Sequence, residues 1–371
     1  MSTATTSPET TTTTATTDEA VLDPAAVEAF VGRVVGDASA WMATTMAMIG
    51  DRLGLWRALA DSGPSTSAEL AERTGTTERY VREWLSSVTA HGYVTYEPET
   101  GRFELPAAHA PVLATASPVH LGGLHQALYG VTGVLDEVVD AFRDGGGVPL
   151  SSYGDNWWQG LERFSSGWFD HLLPQAWLPA MPEVHAKLRH GADVVDVGCG
   201  RGRALIALAG AYPAGRYVGY DVHPESIEAA RAAAEIAGVG DRVRFECRDV
   251  AAGVPGDHDL IFTFDVIHDA VDPLQILRSI RTALRPDGRY VCLDINASHR
   301  LEDNTGPLSG YFYGVSVLYC LTTSLAHGGA GLGTCGFNEH TARRLCAEAG
   351  FGAVRRVEME NPFNILYDIA A

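Results

Sequence analysis

The sequence predicts an α/β protein, with a doubly wound, Rossmann-like parallel sheet in the C-terminal half and a mainly helical winged-helix domain before it. Short runs rich in β-branched residues alternate with helical stretches after residue 183, as in a parallel sheet covered by helices on both faces. A glycine-rich loop at residues 198–202 follows the first of these runs. Three amphipathic helical segments and a hairpin pattern occupy residues 53–105, which is the outline of a winged helix.

Capping and turn signals define the elements of the N-terminal domain. One helix is expected to begin with a serine cap at Ser67 and to end at Gly75. The third helix follows Thr77, and the strands Tyr93–Tyr96 and Arg102–Leu105 are expected to form the hairpin. A length of 371 residues suggests two domains, or one domain with an appendage. The expected segments are a disordered threonine-rich tail at 1–22, the winged-helix domain at 23–105, an aromatic-rich helical connector at 106–182 and the α/β domain at 183–371.

The charge of the chain argues against a nucleic-acid partner. Acidic residues outnumber basic ones by 46 to 27, giving a net charge of −19. The third helix carries Arg79 and Arg82 but also Glu78 and Glu83, whereas a major-groove reader presents a basic face. A dimerisation or lid role is therefore the preferred interpretation of the winged helix, and DNA binding is the alternative.

Cysteine and histidine spacing indicates reduced thiols and no metal. The six cysteines all lie in the second half without a CxxC pair, and His171, His327 and His340 are scattered without ligand spacing. The first 20 residues lack the basic start and apolar run of a signal peptide. The apolar stretch 311–325 is too short and too polar to span a bilayer. We therefore expect a cytoplasmic protein that is not inserted in a membrane.

The α/β domain is expected to contain seven strands. Its helices follow Gly202, Pro224, Pro273 and Glu339. The expected strands are Asp193–Val197, Arg216–Tyr220, Val243–Cys247, Leu260–Phe264, Tyr290–Ile295, Val354–Met359 and Asn364–Ile369.

The glycine loop indicates a nucleotide site without a phosphate. Gly198, Gly200 and Gly202 let the backbone turn sharply and approach a ligand. Their G-x-G-x-G spacing differs from the dinucleotide G-x-G-x-x-G fingerprint, and the lysine of a P-loop is absent. Asp196, two residues before the loop, would repel a pyrophosphate but suits an ammonium group.

Two further acids extend this pattern along the sheet edge. Asp221 ends the second strand, where it can accept hydrogen bonds from ribose hydroxyls, and Asp249 ends the third, where it can accept from an adenine amino group. Each acid alone is equally consistent with a helix cap. Together the three sites match S-adenosylmethionine, which has an ammonium, a ribose and an adenine but no phosphate.

These residues resemble the motifs of class I S-adenosylmethionine-dependent methyltransferases. The matching segments are 194–202, 219–221, 247–250 and the turn 284–288. The resemblance implies a seven-stranded sheet whose last strand, Asn364–Ile369, is antiparallel. With the winged helix in front, the chain more narrowly resembles bacterial small-molecule O-methyltransferases, whose front domain usually dimerises. The implied cofactor-binding residues are Asp196, Gly198, Cys199, Gly200, Asp221, Val222, Asp249, Val250 and Asp265.

The segment 264–272 is similar to the His-Asp-Trp-x-Asp segment of those O-methyltransferases. The resemblance places His268 on their general base, Asp269 on the following acid, and Asp294 near an acid that flanks the histidine. Ala270 stands where that family has tryptophan, which leaves the substrate type open. The alternative is that His268 caps the helix that begins near Pro273 and has no chemical role.

The aromatic connector supplies candidate substrate contacts. Pockets favour domain junctions, and interdomain packing is the alternative role for these side chains. The candidates are Tyr153, Trp157, Trp158, Phe169, His171 and, in the later insert, Tyr311.

The function these features favour is methyl transfer to a small, partly apolar metabolite, most simply at oxygen, by a homodimeric enzyme. Three alternatives stay open: S-methylation of a thioether without a base, a non-methylating S-adenosylmethionine enzyme such as a cyclase, and a winged-helix regulator.

Overall fold

The computed structural model describes residues 22–371. The expected disordered tail, residues 1–22, therefore lies outside the described residues except for Leu22. Residues 22–44 and residues 45–371 belong to two separate units. The first unit holds most of helix α1 (Pro24–Arg52), and every residue from 24 to 40 is exposed. The domain boundaries expected near residues 105 and 182 fall within the second unit and stay predictions.

The second unit begins with the winged-helix pattern. Its elements are α2 (Leu55–Ser62), α3 (Ser67–Thr74), α4 (Glu78–Ala90), β1 (Thr95–Glu97) and β2 (Arg102–Glu104). The predicted serine cap is wrong by one position, because Thr66 accepts from the Glu69 backbone while the Glu69 side chain accepts from Thr66, a capping box. Gly75 ends α3 in the left-handed conformation, as predicted.

Tryptophan packing holds these helices together. Trp56 and Trp84 are buried with ring centroids 4.6 Å apart, and their indole N–H groups donate to the carbonyls of Ala47 and Met46. A Cβ at Gly50 would lie within 2.6 Å of both indoles, so this close helix contact requires glycine.

The connector is helical, as predicted. Its elements are α5 (Ala110–Leu113), α6 (Gly122–Val131), α7 (Leu135–Asp144), α8 (Asp155–Gly167), a π-helical segment (Trp168–Trp177) and α9 (Pro182–His190). Helices α6 and α8 pack backbone against backbone, since a Cβ at Gly130 would lie 2.4 Å from the Trp157 nitrogen. This contact fixes α8 and the aromatic residues it carries.

A seven-stranded sheet forms the C-terminal half and confirms the predicted fold class. The strands are β3 (Asp193–Val197), β4 (Arg216–Asp221), β5 (Val243–Cys247), β6 (His258–Phe264), β7 (Leu284–Ile295), β8 (Val354–Val357) and β9 (Asn364–Ala370). Their order is β5-β4-β3-β6-β7-β9-β8, and β9 is antiparallel to both neighbours. All seven strands lie where the sequence predicts them. β7 starts six residues early, because Leu284 pairs with His258 before the register shifts.

The helices of this half begin at the predicted positions. They are α10 (Arg203–Ala211), α11 (Pro224–Ile236), α12 (Pro273–Ala283) and α15 (Glu339–Glu348). An insert after β7 forms α13 (Gly306–Val315), a π-helical turn (Ser316–Cys320) and α14 (Leu321–Ala326). Among the helices of the described residues, none is long and apolar enough to cross a membrane.

The sheet is buried on both faces, which explains its continuous apolar runs. On β3, Val194 points into one apolar cluster, while Val195 and Val197 point into another. Asp196 follows the alternation onto the Val194 face and is 1% exposed. Burial of an ionised carboxylate within an apolar strand costs free energy unless the carboxylate has a partner. The end of β3 is therefore a candidate binding site.

Candidate active site

A cavity of about 700 Å³ opens at the carboxyl ends of β3, β4 and β6. This is the switch point of the sheet, where connections from β3 and β6 run to opposite sides and leave a crevice. Loops after the strands form one side of the cavity. Helix α8, the π-helical segment after it and the α13 insert form the other.

The glycine loop wraps the end of β3. The backbone N–H of Gly198 donates to the carbonyl of Tyr220 at 2.8 Å, and that of Gly200 donates to Asp221 Oδ2 at 2.8 Å. Gly198 has φ of 72°, and a Cβ there would lie 2.5 Å from Val266. Glycine is therefore required at this position both for the turn and for the contact with the β6 loop.

Asp196 lines the cavity with an oxygen that has no protein partner. Its Oδ1 is buried and makes no hydrogen bond within the described residues. Burial, and then the nearby carboxylate of Asp221, raise the pKa of Asp196 well above its ordinary value. An ammonium group in the cavity would satisfy this oxygen and hold the group ionised. The amino group of S-adenosylmethionine fits this requirement.

Asp221 and Asp249 lie along the same edge, as predicted. Asp221 accepts backbone hydrogen bonds from Gly200 and His223, which orients its carboxylate at the cavity wall. Asp249 is exposed to the cavity and accepts from the Ala251 N–H at 2.9 Å. The other predicted cofactor contacts, Cys199, Val222 and Val250, also line the cavity. The residues present therefore fit an adenosyl amino acid.

His268 and Asp294 form a buried pair at the opposite end of the cavity. His268 Nδ1 donates to Asp294 Oδ1 at 2.7 Å, and the two residues are 4% and 0% exposed. Burial lowers the pKa of His268, but the Asp294 carboxylate and Cys320 raise it, and the net pKa is well above the ordinary 6.5. The capping alternative for His268 is wrong, because Asp272 accepts from the Gln275 N–H and caps α12.

Asp265 lies beside this pair in a strained conformation. Its φ of 56° is the one positive value among non-glycine residues of the described chain, and such strain is typical of functional sites. Asn364 Nδ2 donates to Asp265 Oδ1 at 2.6 Å. Burial, and then Asp294, raise the pKa of Asp265 to about 7. Sequence reasoning missed Asn364, whose one signal is its position at the start of the last strand.

Asp269 and Cys320 lie at a ring nitrogen of His268. The Cys320 thiol, an Asp269 carboxylate oxygen and that nitrogen lie within 4.8 Å of one another. Burial raises the pKa of Asp269 to about 7. Sequence spacing predicts no such cluster, because Cys320 comes from the insert after β7 and the other two residues follow β6. Sequence reasoning gave no role to Cys320.

Aromatic side chains line the cavity beyond the histidine. Of the six predicted substrate contacts, Trp157, Trp158, Phe169 and Tyr311 line it. Tyr153 does not, because its hydroxyl donates to the Leu318 carbonyl at 2.6 Å and its ring packs behind Trp157. His171 is also absent from the lining. Further aromatic residues that were not among those six also line the cavity, and these are Phe164, Trp168, Tyr220, Phe264, Phe312, Tyr319 and Phe363.

The arginines beside the connector are already paired. Arg201 donates to Glu162 at 2.5 Å, and Arg203 makes an ion pair with Asp170. Both acids come from the connector, so these pairs fasten the glycine loop to α8 and the π-helical segment. Because their charges are neutralised, these arginines do not offer an anion site in the cavity.

Comparison with known families agrees with this geometry. Residues 188–314 match a methyltransferase domain family, and residues 41–115 match the Rv2258c-like winged HTH domain family.

Among curated proteins, the chain is 32% identical over 164 residues to the O-demethylpuromycin-O-methyltransferase of Streptomyces alboniger, covering 44% of this chain and 40% of that enzyme. It is 28% identical over 243 residues to the mitomycin biosynthesis 6-O-methyltransferase of Streptomyces lavendulae, covering 64% of this chain and 69% of that enzyme. The first alignment thus spans less than half the length of the relative.

Solved structures share the fold over nearly the whole chain. A mitomycin 7-O-methyltransferase structure superimposes with a TM-score of 0.64 and 22% identity, covering 94% of this chain and 98% of that one. Human N-acetylserotonin methyltransferase, solved with S-adenosylmethionine, gives a TM-score of 0.65 and 18% identity, covering 95% and 99%. At these identities the likeness concerns the fold.

The sheet order, the glycine loop and the two domain matches together define a class. The chain carries a methyltransferase domain over residues 188–314 and a winged HTH domain over residues 41–115, and its sheet order and glycine loop resemble those of class I S-adenosylmethionine-dependent methyltransferases. Within that class, it resembles the bacterial small-molecule O-methyltransferases.

Proposed function

We propose that the protein transfers a methyl group from S-adenosylmethionine to a hydroxyl group of a small, largely apolar metabolite, with His268 as general base. The observation that carries this proposal is the buried His268–Asp294 pair, which shares one cavity with the glycine loop and the unpartnered oxygen of Asp196. A thioether acceptor would have no proton to lose, so the pair favours oxygen over sulfur.

Three carboxylates of the sheet edge hold the cofactor in this proposal. Asp196 binds the ammonium group, Asp221 the ribose hydroxyls and Asp249 the adenine amino group. When bound, S-adenosylmethionine supplies an electrophilic methyl group on a sulfonium. Asp265 and Asp269, which line the cavity and have no arginine or lysine partner among the described residues, would compensate the positive charge of that sulfonium.

His268 accepts the proton of the acceptor. Asp294 binds Nδ1–H and so keeps the lone pair on Nε2, which faces the acceptor. When the acceptor oxygen takes the methyl group, its hydroxyl proton would move to Nε2 of His268. Asp294 then stabilises the imidazolium, as the raised pKa of His268 indicates.

The walls of the cavity position an apolar acceptor and keep water out. Trp158 stacks on His223 with ring centroids 4.3 Å apart, and Phe169 meets Phe264 edge to face at 5.0 Å. Because the connector supplies one ring of each pair and the edge of the sheet supplies the other, the acceptor would be enclosed between them.

The decisive experiment compares the wild type with His268→Ala. We expect S-adenosylmethionine binding by calorimetry to be unchanged and turnover, measured as S-adenosylhomocysteine release with a panel of phenolic acceptors, to fall by roughly 100-fold or more. His190→Ala, an exposed histidine on α9, is the control and should match the wild type. Unchanged turnover in His268→Ala would remove the base assignment. A product without added methyl mass would favour a cyclase.

The ion pairs on the surface of α4 argue against DNA binding. Arg79 pairs with Glu83 at 2.5 Å, and Arg82 pairs with Glu78 at 2.9 Å, so the helix presents neutralised arginines. We therefore assign the winged helix a structural role. The absence of a shifted band at low salt would support this assignment.

A homodimer is the assembly that the first unit favours. Helix α1 exposes Val27, Phe30, Val31, Val34 and Val35 at i, i+3, i+4, i+7 and i+8, an uninterrupted apolar stripe. A second copy of the same helix is complementary to such a stripe by two-fold symmetry.

A reducing cytoplasmic location fits the thiols. All six cysteines are unpaired, and five of them are buried.

A further inference from the structure

Cys320 lies at the floor of the cavity, on a break in the helix of the insert. It ends the π-helical turn Ser316–Cys320, between α13 and α14, and is 3% exposed. Single π-helical turns within α-helices recur at functional sites, because the extra residue redirects the side chains that follow. Here the turn directs the Cys320 thiol to the cavity.

The thiol has a polar partner on each side. Thr334 Oγ1 donates to Cys320 Sγ at 3.0 Å, so the sulfur acts as the acceptor in that contact. On the other side, Sγ lies within 4.8 Å of a ring nitrogen of His268 and of an Asp269 carboxylate oxygen. Since Asp294 already holds Nδ1–H, Nε2 is the nitrogen with a lone pair to offer.

We propose that Cys320 is a positioning residue for His268, its S–H donating to Nε2 until the acceptor hydroxyl takes that place. This proposal rests on the proposed function. It places Thr334, Cys320, His268 and Asp294 in one chain in which each group donates to the next.

The direction of donation fixes the protonation state of the base. With S–H pointing to Nε2 and Nδ1–H pointing to Asp294, the imidazole is neutral and its lone pair faces the cavity. After the acceptor proton has moved to Nε2, the new N–H donates to the sulfur, and the thiol keeps its own proton. Because a hydrogen bond donated by a charged N–H is stronger than one accepted by the neutral ring nitrogen, Cys320 favours the imidazolium over the free base, and it does so without gaining or losing a proton.

Other titratable groups surround the ring. Those that face it from neighbouring elements are Asp265 and Asp269 after β6, Asp294 at the end of β7, Cys320 in the insert and Cys335 before α15. Cys320 contributes to the raised pKa of His268, after burial, which lowers it, and Asp294, which raises it. Removing the thiol should therefore lower the pKa of His268.

The experiment measures Cys320→Ala and Cys320→Ser against wild type. We expect Cys320→Ala to lose roughly 10-fold in kcat, because a base that is not held in place is misaligned, with an unchanged KM for S-adenosylmethionine. Its acidic limb in kcat/KM should move to lower pH. We expect Cys320→Ser to restore both kcat and the position of the acidic limb, since a hydroxyl donates and accepts in the same directions as the thiol. Cys346→Ala, which removes a buried thiol that does not line the cavity, is the control and should keep the wild-type profile.

A second readout does not need activity. In protein with ¹⁵N-labelled histidine, the His268 signals are assigned by their loss in His268→Asn, and the ring is titrated by NMR. We expect the pKa of His268 to be lower in Cys320→Ala than in wild type and restored in Cys320→Ser. Should Cys320→Ala fail to fold, Thr334→Val, which deprives the sulfur of its donor, should give a smaller shift in the same direction.

Two results would overturn the proposal. One is an unchanged His268 titration and pH profile in folded Cys320→Ala. The other is stoichiometric zinc in purified wild type that is lost in Cys320→Ser, since His, Asp and Cys are zinc ligands and the cluster would then be a metal site. If no acceptor is methylated by wild type, the proposed function fails, while the NMR titration still tests the link between Cys320 and His268.

Discussion

His268 donates from Nδ1 to Asp294 across 2.7 Å, joining the loop after β6 to the end of β7. The two strands are parallel neighbours, so both residues reach the same sheet edge although 26 positions separate them. This single contact fixes the tautomer, the orientation and the electrostatic environment of the histidine.

Replacing Asp294 by Asn should prevent His268 from acting as the base while S-adenosylmethionine still binds. An amide cannot stabilise the imidazolium, so we expect kcat to fall by roughly 100-fold or more. Because the Asp294 carboxylate raises the pKa of His268, the acidic limb of kcat/KM should move to lower pH. Steady-state kinetics across pH provide the measurement. Asp241→Asn, on the surface, is the control, and a wild-type profile in Asp294→Asn would contradict the role.

The wild-type pH profile should show an acidic limb displaced upward from the ordinary pKa of histidine. The net pKa of His268 is raised well above 6.5, and the imidazole accepts a proton only in its neutral form. Activity is therefore lost as pH falls through that pKa. We expect the acidic limb of kcat/KM above pH 6.5. A limb below this value would show that the base is another group or that the cofactor charge dominates.

Asp196 should contribute to binding only those ligands that carry the amino acid portion of the cofactor. Replacing it by Asn removes the charge that satisfies the ammonium group, and we expect S-adenosylmethionine affinity to fall by roughly 10-fold or more. Methylthioadenosine has no ammonium group, so calorimetry should show similar affinities for wild type and Asp196→Asn. Equal losses for both ligands would mean that the substitution damaged the site generally. Asp257→Asn is the exposed control.

Gly198→Ala should abolish cofactor binding. The residue has a φ of 72°, and the added methyl group would lie 2.5 Å from Val266. We expect a lower Tm and no heat of S-adenosylmethionine binding. Gly210→Ala, in α10 with open space around the position, should bind normally. Normal binding by Gly198→Ala would show that the loop adapts more freely than its contacts indicate.

Val31→Glu should convert a dimer into a monomer. Val31 lies within the exposed apolar stripe of α1, and a carboxylate there would be buried unpaired between two copies. Light scattering after gel filtration gives the mass directly. Ile236→Glu, at an exposed position of α11, is the matched control and should leave the mass unchanged. A wild type that is already monomeric would refute the assembly.

The positions of the residues proposed to bind the cofactor were predictable because their signals are local. Asp196, Asp221 and Asp249 each end a strand that the hydrophobic pattern locates, and parallel strands bring their carboxyl ends to one edge. His268 and Asp294 were predictable for the same reason, although only the resemblance assigned their roles. The sequence was less successful in predicting which aromatic side chains line the cavity, as Tyr153 shows. Its aromatic ring packs behind the wall, and no sequence pattern distinguishes a ring that lines a cavity from one that supports it.

The sequence by itself determined the strands, the glycine loop and the identity of the acids, because hydrophobic periodicity and glycine conformation act over a few neighbouring residues. The tertiary structure alone decided that Asn364 contacts Asp265 and that Cys320 meets His268. Those partners lie 99 and 52 positions apart in the chain, on elements that only packing brings together. Side-chain contacts across such distances depend on the relative placement of whole helices and strands, which local patterns do not specify.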